Sequence, residues 1–157
     1  MELSDLICCV NRRLEQIAEV QLKPIGLSIE QYRVLKTLDA ENGLTMGDLA
    51  VRVFVDSPTL TKIMDKMVAS AHVYRGPDPR DRRRVLAFLS KKGAETFGRI
   101  RASVVQAESS VCSELAKGSE DQLKTILMQL LAGTEAGDGA RQIAPHIPSN
   151  NGSLLLG

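Results

Sequence analysis

Two short apolar runs, Val73-Tyr74 and Val85 to Leu89, enclose the segment Gly76-Pro77-Asp78-Pro79-Arg80-Asp81-Arg82-Arg83-Arg84. Gly and Pro punctuate that segment as a loop joining two strands, so the chain must accommodate a basic hairpin among sequences of helical pattern. Upstream, Leu60, Ile63, Met64, Met67 and Val68 recur at helical spacing and form one apolar stripe. Ser57 reads as the N-cap of that helix and Pro58 as its first helical residue, where a missing N–H costs nothing. Its opposite face carries Thr59, Thr61, Lys62, Asp65 and Lys66. Downstream, Ser90 reads as the cap of a long helix from Lys91 to about Ala116, with Ala94, Phe97, Ile100, Val104 and Val111 along one side.

Charge separates this region from the rest. Residues 62–101 hold eleven Lys or Arg against four acids, a balance of +7, whereas the whole chain is +1 and the remainder therefore −6. Such a focus on a near-neutral protein predicts a local anion-binding surface. A helix whose exposed N-terminal end is small, polar and basic has the shape and chemistry to enter a DNA major groove.

The segments LSIEQYRVLKTL, MGDLA, SPTLTKIMDKM and DPRDRRRVLAFLSKKG resemble the winged helix-turn-helix of the multiple antibiotic resistance regulator (MarR) family. The last carries most of the likeness. That family has Asp-x-Arg at the wing tip and a strand ending in Leu-Thr-x-x-Gly. This chain has Asp81-Arg82-Arg83 and Leu89-Ser90-Lys91-Lys92-Gly93. It departs at Ser90 and at Ala71, where the family has Gly after the recognition helix. A left-handed Ala71 costs on the order of 1 kcal/mol.

The resemblance implies a mainly α fold with a small β-hairpin wing. Its parts are a dimerisation helix (1–25), a winged helix-turn-helix lobe (26–92) and further dimerisation helices (93–132), while the glycine-rich residues 133–157 read by composition as a flexible tail. It implies a homodimeric transcriptional regulator, a repressor released from a pseudo-palindromic operator by a small-molecule effector. Ser57, Thr59, Thr61 and Lys62 would read the major groove. Arg83, braced by Asp81, would enter the minor groove, and Lys66, Arg80, Arg82 and Arg84 would hold phosphates. The effector is expected where helices one, two and five meet the DNA-binding lobe, with Arg12, Tyr32 and His72 as candidate contacts.

Elsewhere the pattern is helical. Leu3, Leu6, Ile7, Val10, Leu14, Ile17 and Ala18 predict a first helix over 3–22, ended by Lys23-Pro24-Ile25-Gly26. Ser28 to Gln31 is a capping box for a second helix with Ile29, Tyr32, Leu35 and Leu38 inward. Thr45 caps a third, with Leu49, Ala50 and Val53 inward, and Phe54-Val55-Asp56 is the turn before the fourth. Ser119 to Gln122 opens another capping box before Leu123, Ile126, Leu127, Leu130 and Leu131. A single small lobe cannot bury all these stripes, which predicts packing of the first and last helices on a second copy of the chain. The tail's Leu154-Leu155-Leu156 is read as an unstructured end.

Catalytic chemistry finds little support. His72 and His146 are far apart in sequence, no Cys/His cluster has metal spacing, and no Gly-rich phosphate motif is present. No cofactor is expected, and a protein-interaction module is the competing non-enzymatic reading. No apolar run approaches a membrane span, and the acids preceding the first apolar residues are the reverse of a signal peptide, so a cytoplasmic location is expected. Cys8, Cys9 and Cys112 read as small buried hydrophobes. The peroxide-sensing branch of the family offers the alternative that Cys8, with Arg12 one turn away, is a redox switch partnered by Cys112.

Overall fold

A computed structural model describes residues 1–113 and 115–133. The expectations for the tail, including Leu154 to Leu156 and His146, lie outside the described residues. Among the described residues lie six α-helices: α1 (Leu3–Leu22), α2 (Ile29–Ala40), α3 (Met46–Val53), α4 (Ser57–Ala69), α5 (Lys91–Val111) and α6 (Ser119–Gly133). Three strands, β1 (Leu44–Thr45), β2 (Val73–Pro77) and β3 (Val85–Leu89), form an antiparallel sheet in the order β1-β3-β2.

Local chemistry sets the helix starts. At α2 the Ser28 hydroxyl accepts from the Gln31 N–H at 3.2 Å, and the Gln31 side-chain oxygen accepts from the Ser28 N–H at 2.9 Å, the reciprocal box that the sequence predicts. Thr45 caps α3 by accepting from the Asp48 N–H. Gly26, at φ 70°, closes the 3₁₀ turn Lys23–Ile25 after α1. For α4 the cap is Asp56 rather than Ser57: its Oδ1 accepts from the Thr59 N–H at 2.7 Å, and Pro58 is the second helical residue. Phe54 adopts φ 62° as the C-cap of α3, in the turn between α3 and α4.

The core lies in the lobe made by α2, α3, α4 and the sheet. Val34, Leu35, Leu38, Leu49, Val53, Leu60, Met64 and Met67 are fully buried there. α1 enters it only with Ala18 and Leu22, near its C-terminal end, and α5 with Phe97, Ile100 and Val104. Ala94 faces solvent, contrary to the sequence reading, because Gly93 and Thr96 form the inward edge at the start of α5. Val68 is likewise exposed. α5 stops at Val111, five residues short of the predicted Ala116, and α6 begins at Ser119 itself rather than after it.

The wing is longer in strand than the sequence suggested. Pro77 pairs with Val85, so Gly76 and Pro77 belong to β2 and the loop is Asp78 to Arg84. β2 is an edge strand, where a proline's missing N–H breaks no ladder bond. β1 went unseen in the sequence because two residues, Leu44 and Thr45, gain strand geometry only by pairing with Ala87 and Leu86.

Ala71 sits at φ 59°, the left-handed geometry considered above. It is exposed. Ala71→Gly therefore removes the steric cost of the methyl and loses no packing. Urea denaturation should show the variant stabilised by about 0.5–1 kcal/mol.

Candidate nucleic-acid interface

α4 divides cleanly into two faces. Leu60, Met64 and Met67 are buried, while Ser57, Thr59, Thr61, Lys62, Asp65 and Lys66 are exposed. No large apolar side chain interrupts the exposed row over residues 57–66, which disfavours a protein-docking helix. With Asp56 serving as the cap, the Ser57 hydroxyl is not used at the helix start. The Thr61 hydroxyl donates to the Ser57 carbonyl at 3.0 Å and keeps its lone pairs outward. Hydrogen bonds from Thr59, followed by the nearby Lys62, hold the Asp56 carboxyl below its usual range and keep it ionised.

The wing loop is shaped by its own acids. Asp78 accepts from the Arg80 N–H at 2.8 Å, and Asp81 accepts from the Arg83 N–H at 3.0 Å. Backbone bonds from Asp78 N–H to the Arg84 carbonyl and from Arg84 N–H to the Asp81 carbonyl, each 2.9 Å, close the loop. Asp81 therefore braces Arg83 through its main chain and leaves the guanidinium group free to reach outward. Arg80, Arg82, Arg83 and Arg84 are exposed and, among the described residues, join no ion pair. Four unneutralised cations on one tip form an anion-seeking surface.

Helix and wing meet where the Leu-Ser-x-x-Gly stretch lies. The Ser90 hydroxyl accepts from the Gly93 N–H at 2.9 Å, and its proton is shared between the carbonyls of Ala71 (2.7 Å) and His72 (2.9 Å). Lys92 Nζ donates to the Ser70 carbonyl at 2.7 Å, satisfying the last turn of α4. Asn42, which sequence reasoning missed, accepts from the Leu89 N–H at 2.8 Å and fixes the end of β3. An Asn beside Gly43 reads only as a turn signal until its partner 47 residues away is known.

The residues expected to contact an effector are dispersed. Tyr32 is buried in the α2–α5 contact, its ring 5.7 Å from that of Phe97. Burial, with Glu108 nearby, raises its phenol pKa against the opposing effect of Arg101. His72 lies in the knot after α4, its Nδ1 2.7 Å from the Ser70 hydroxyl. Burial, and then Lys92, lowers its pKa. Arg12 is exposed on α1. A concavity of about 620 Å³ opens where α1 meets α2, lined by Gln16, Glu19, Val20, Lys23, Leu27 and Gln31. None of the three expected contacts lines it. In the single chain Cys8 and Cys9 are exposed, and Cys112 is the half-buried C-cap of α5 rather than a residue within it. Among the described residues no helix is long and apolar enough to cross a membrane.

The sequence profile of the MarR family matches residues 25–84, the span from the 3₁₀ turn after α1 to the end of the wing loop. The HTH-type transcriptional regulator TtmR of Methylorubrum extorquens is 40% identical over 74 residues, which cover 47% of this chain and 38% of TtmR, well under half its length. An uncharacterized HTH-type transcriptional regulator of Mycobacterium bovis is 31% identical over 130 residues, covering 82% of this chain and 90% of that one. Among solved structures, a cysteine-to-serine mutant of Escherichia coli MarR in complex with operator DNA superposes with a TM-score of 0.71 at 25% identity, covering 82% of this chain and 93% of that one.

Proposed function

We propose, from the premise that this chain belongs to the MarR family, that it acts as a homodimeric DNA-binding transcriptional regulator which represses until a small-molecule effector releases it. The observation that carries the reading is the pairing of an exposed polar row on α4 with four unneutralised arginines on the adjoining wing. An α-helix fits the major groove, and its donors and acceptors there distinguish base pairs. The wing reaches the flanking backbone and minor groove, where a narrow A·T-rich groove attracts Arg. That the similar MarR structure is a complex with operator DNA supports duplex DNA as the ligand.

Dimerisation is supported by what the single chain leaves uncovered. Leu3, Leu6, Ile7 and Val10 on α1 are exposed, as are Leu123, Ile126, Leu127, Leu130 and Leu131 on α6. Contiguous apolar faces of that extent mark an association surface. Two copies related by a twofold axis would place two copies of α4 in successive major grooves, with half-site centres about 10 base pairs apart. The effector would act by changing that spacing.

Two wing substitutions test the assignment. Arg83→Ala should weaken binding by about 1–2 kcal/mol on duplexes with A·T-rich flanks and by much less on G·C-rich ones. Arg80→Ala should weaken all duplexes alike and make the salt slope shallower by about one unit. Fluorescence anisotropy on both duplexes separates the roles, and identical behaviour of the two variants would remove Arg83 from the minor groove.

A further inference from the structure

An acid on the DNA-facing side of a helix calls for an explanation, because it repels phosphate. The neighbouring acids have one: Asp56, Asp78 and Asp81 each hold a backbone N–H of their own helix start or loop. Asp65 does not. It lies one turn beyond Thr61 on the exposed face of α4, and its Oδ1 accepts from Arg75 Nη2 at 2.8 Å. Arg75 is the middle residue of β2, paired in register with Ala87. Among the described residues this is the one ion pair that joins α4 to the wing.

The hairpin itself is stiff. Tyr74 and Phe88 face each other across the β2–β3 ladder, and their rings stack at 5.2 Å with planes 16° apart. The hairpin is rooted in the core through Val73 and Ala87, and β3 is held to β1 at Leu86 and Ala87, so it is the distal half, from Arg75 outward, that swings as a unit. A side-chain tie near its middle therefore sets the angle at which its tip stands to α4. We propose that Asp65 is a positioning residue. Through Arg75 it fixes the wing at the angle that lets α4 occupy the major groove while Arg83 reaches the minor groove. The inference rests on the DNA-binding reading above.

Electrostatics alone and the proposed tie predict opposite signs. If Asp65 were only a surface charge, Asp65→Asn would remove a repulsion and tighten binding to every duplex. As a positioning residue, its loss frees the wing. Affinity for an A·T-flanked duplex should then fall about fivefold, and the preference for A·T over G·C flanks should shrink towards unity. Asp65→Glu, which keeps the carboxylate, should restore most of both. An exposed ion pair contributes little to folding, so the melting temperature should stay close to that of the wild type.

The test measures affinities of wild type, Asp65→Asn and Asp65→Glu for two duplexes selected by the wild-type protein and differing only in their flanks. Amide hydrogen exchange of Arg82 to Arg84 is followed in the free proteins. Faster exchange in Asp65→Asn together with a lost flank preference supports the tie. Tighter binding by Asp65→Asn, or an unchanged flank preference, overturns it. If selection with the wild-type protein yields no duplex that it binds, the DNA-binding reading falls and the tie with it, whereas a wild type that binds its selected duplexes beside an unaltered Asp65→Asn overturns the tie alone.

Discussion

Gly93→Ala should destabilise the protein by about 3 kcal/mol or more, enough to leave much of it unfolded at ordinary temperatures. A Cβ at Gly93 would stand 2.1 Å from the His72 carbonyl oxygen and 2.7 Å from Leu89 Cδ1. The nearer obstacle is backbone, and it cannot retreat. That same carbonyl accepts from the Ser90 N–H at 3.0 Å and from the Ser90 hydroxyl at 2.9 Å. Moving α5 away instead would break the Ser90 cap and uncover Phe97 and Ile100. Gly98 supplies the control, since it lies in the same helix with nothing within 4 Å of its would-be Cβ. Gly98→Ala should stabilise by about 0.5–1 kcal/mol, because Ala fixes a helix more readily than Gly. Urea denaturation of the two variants should thus give shifts of opposite sign. A Gly93→Ala protein within about 1 kcal/mol of wild type would show that α5 does not approach the α4–β2 turn so closely.

The second large effect concerns assembly. Ile7 on α1 and Leu127 on α6 are 44% and 37% exposed in the single chain, so charging them should cost the isolated fold little. In a twofold dimer each substitution enters the interface twice. An uncompensated carboxylate there costs several kcal/mol. Ile7→Asp/Leu127→Asp should therefore raise the dimer dissociation constant by about a thousandfold or more, as read by sedimentation equilibrium. Affinity for a two-half-site duplex should fall by about a hundredfold, while the melting cooperativity of the lobe is kept. A double variant that remains dimeric would mean that these faces are covered by something other than a second copy of the chain.

Elements governed by local chemistry were legible in the sequence. The bounds of α1, the box at Ser28 and Gln31, and the Thr45 and Ser90 caps each depend on residues within one turn. Features settled by distant partners were not. β1 exists only through Leu86 and Ala87, and Asn42 acquires its role from Leu89. The cap of α4 moved from Ser57 to Asp56 because both residues have capping chemistry, and it is Asp56 that holds the extended backbone geometry of a cap. The phase at the start of α5 slipped because a glycine carries no hydrophobic signal, yet Gly93 is buried against the His72 carbonyl, where a Cβ would not fit. At the proposed interface, the residue types exposed on α4 and the wing were readable. The Asp65–Arg75 tie was not, since a helix residue and a strand residue across a turn share no periodicity. The concavity between α1 and α2 likewise follows from how two helices diverge, which no spacing records.

Salt dependence of DNA binding bears most directly on the central reading. Lys66, Arg80, Arg82 and Arg84 on each of two subunits would neutralise eight phosphates, and each releases condensed counterion. The logarithm of the binding constant for a selected pseudo-palindromic duplex should fall against the logarithm of salt concentration with a slope of about −7. That corresponds to a loss of roughly 10³–10⁵ in affinity between about 50 and 200 mM salt. A slope near zero, or equal affinity for the duplex and for an uncharged competitor, would contradict a DNA-binding role for the helix and the wing.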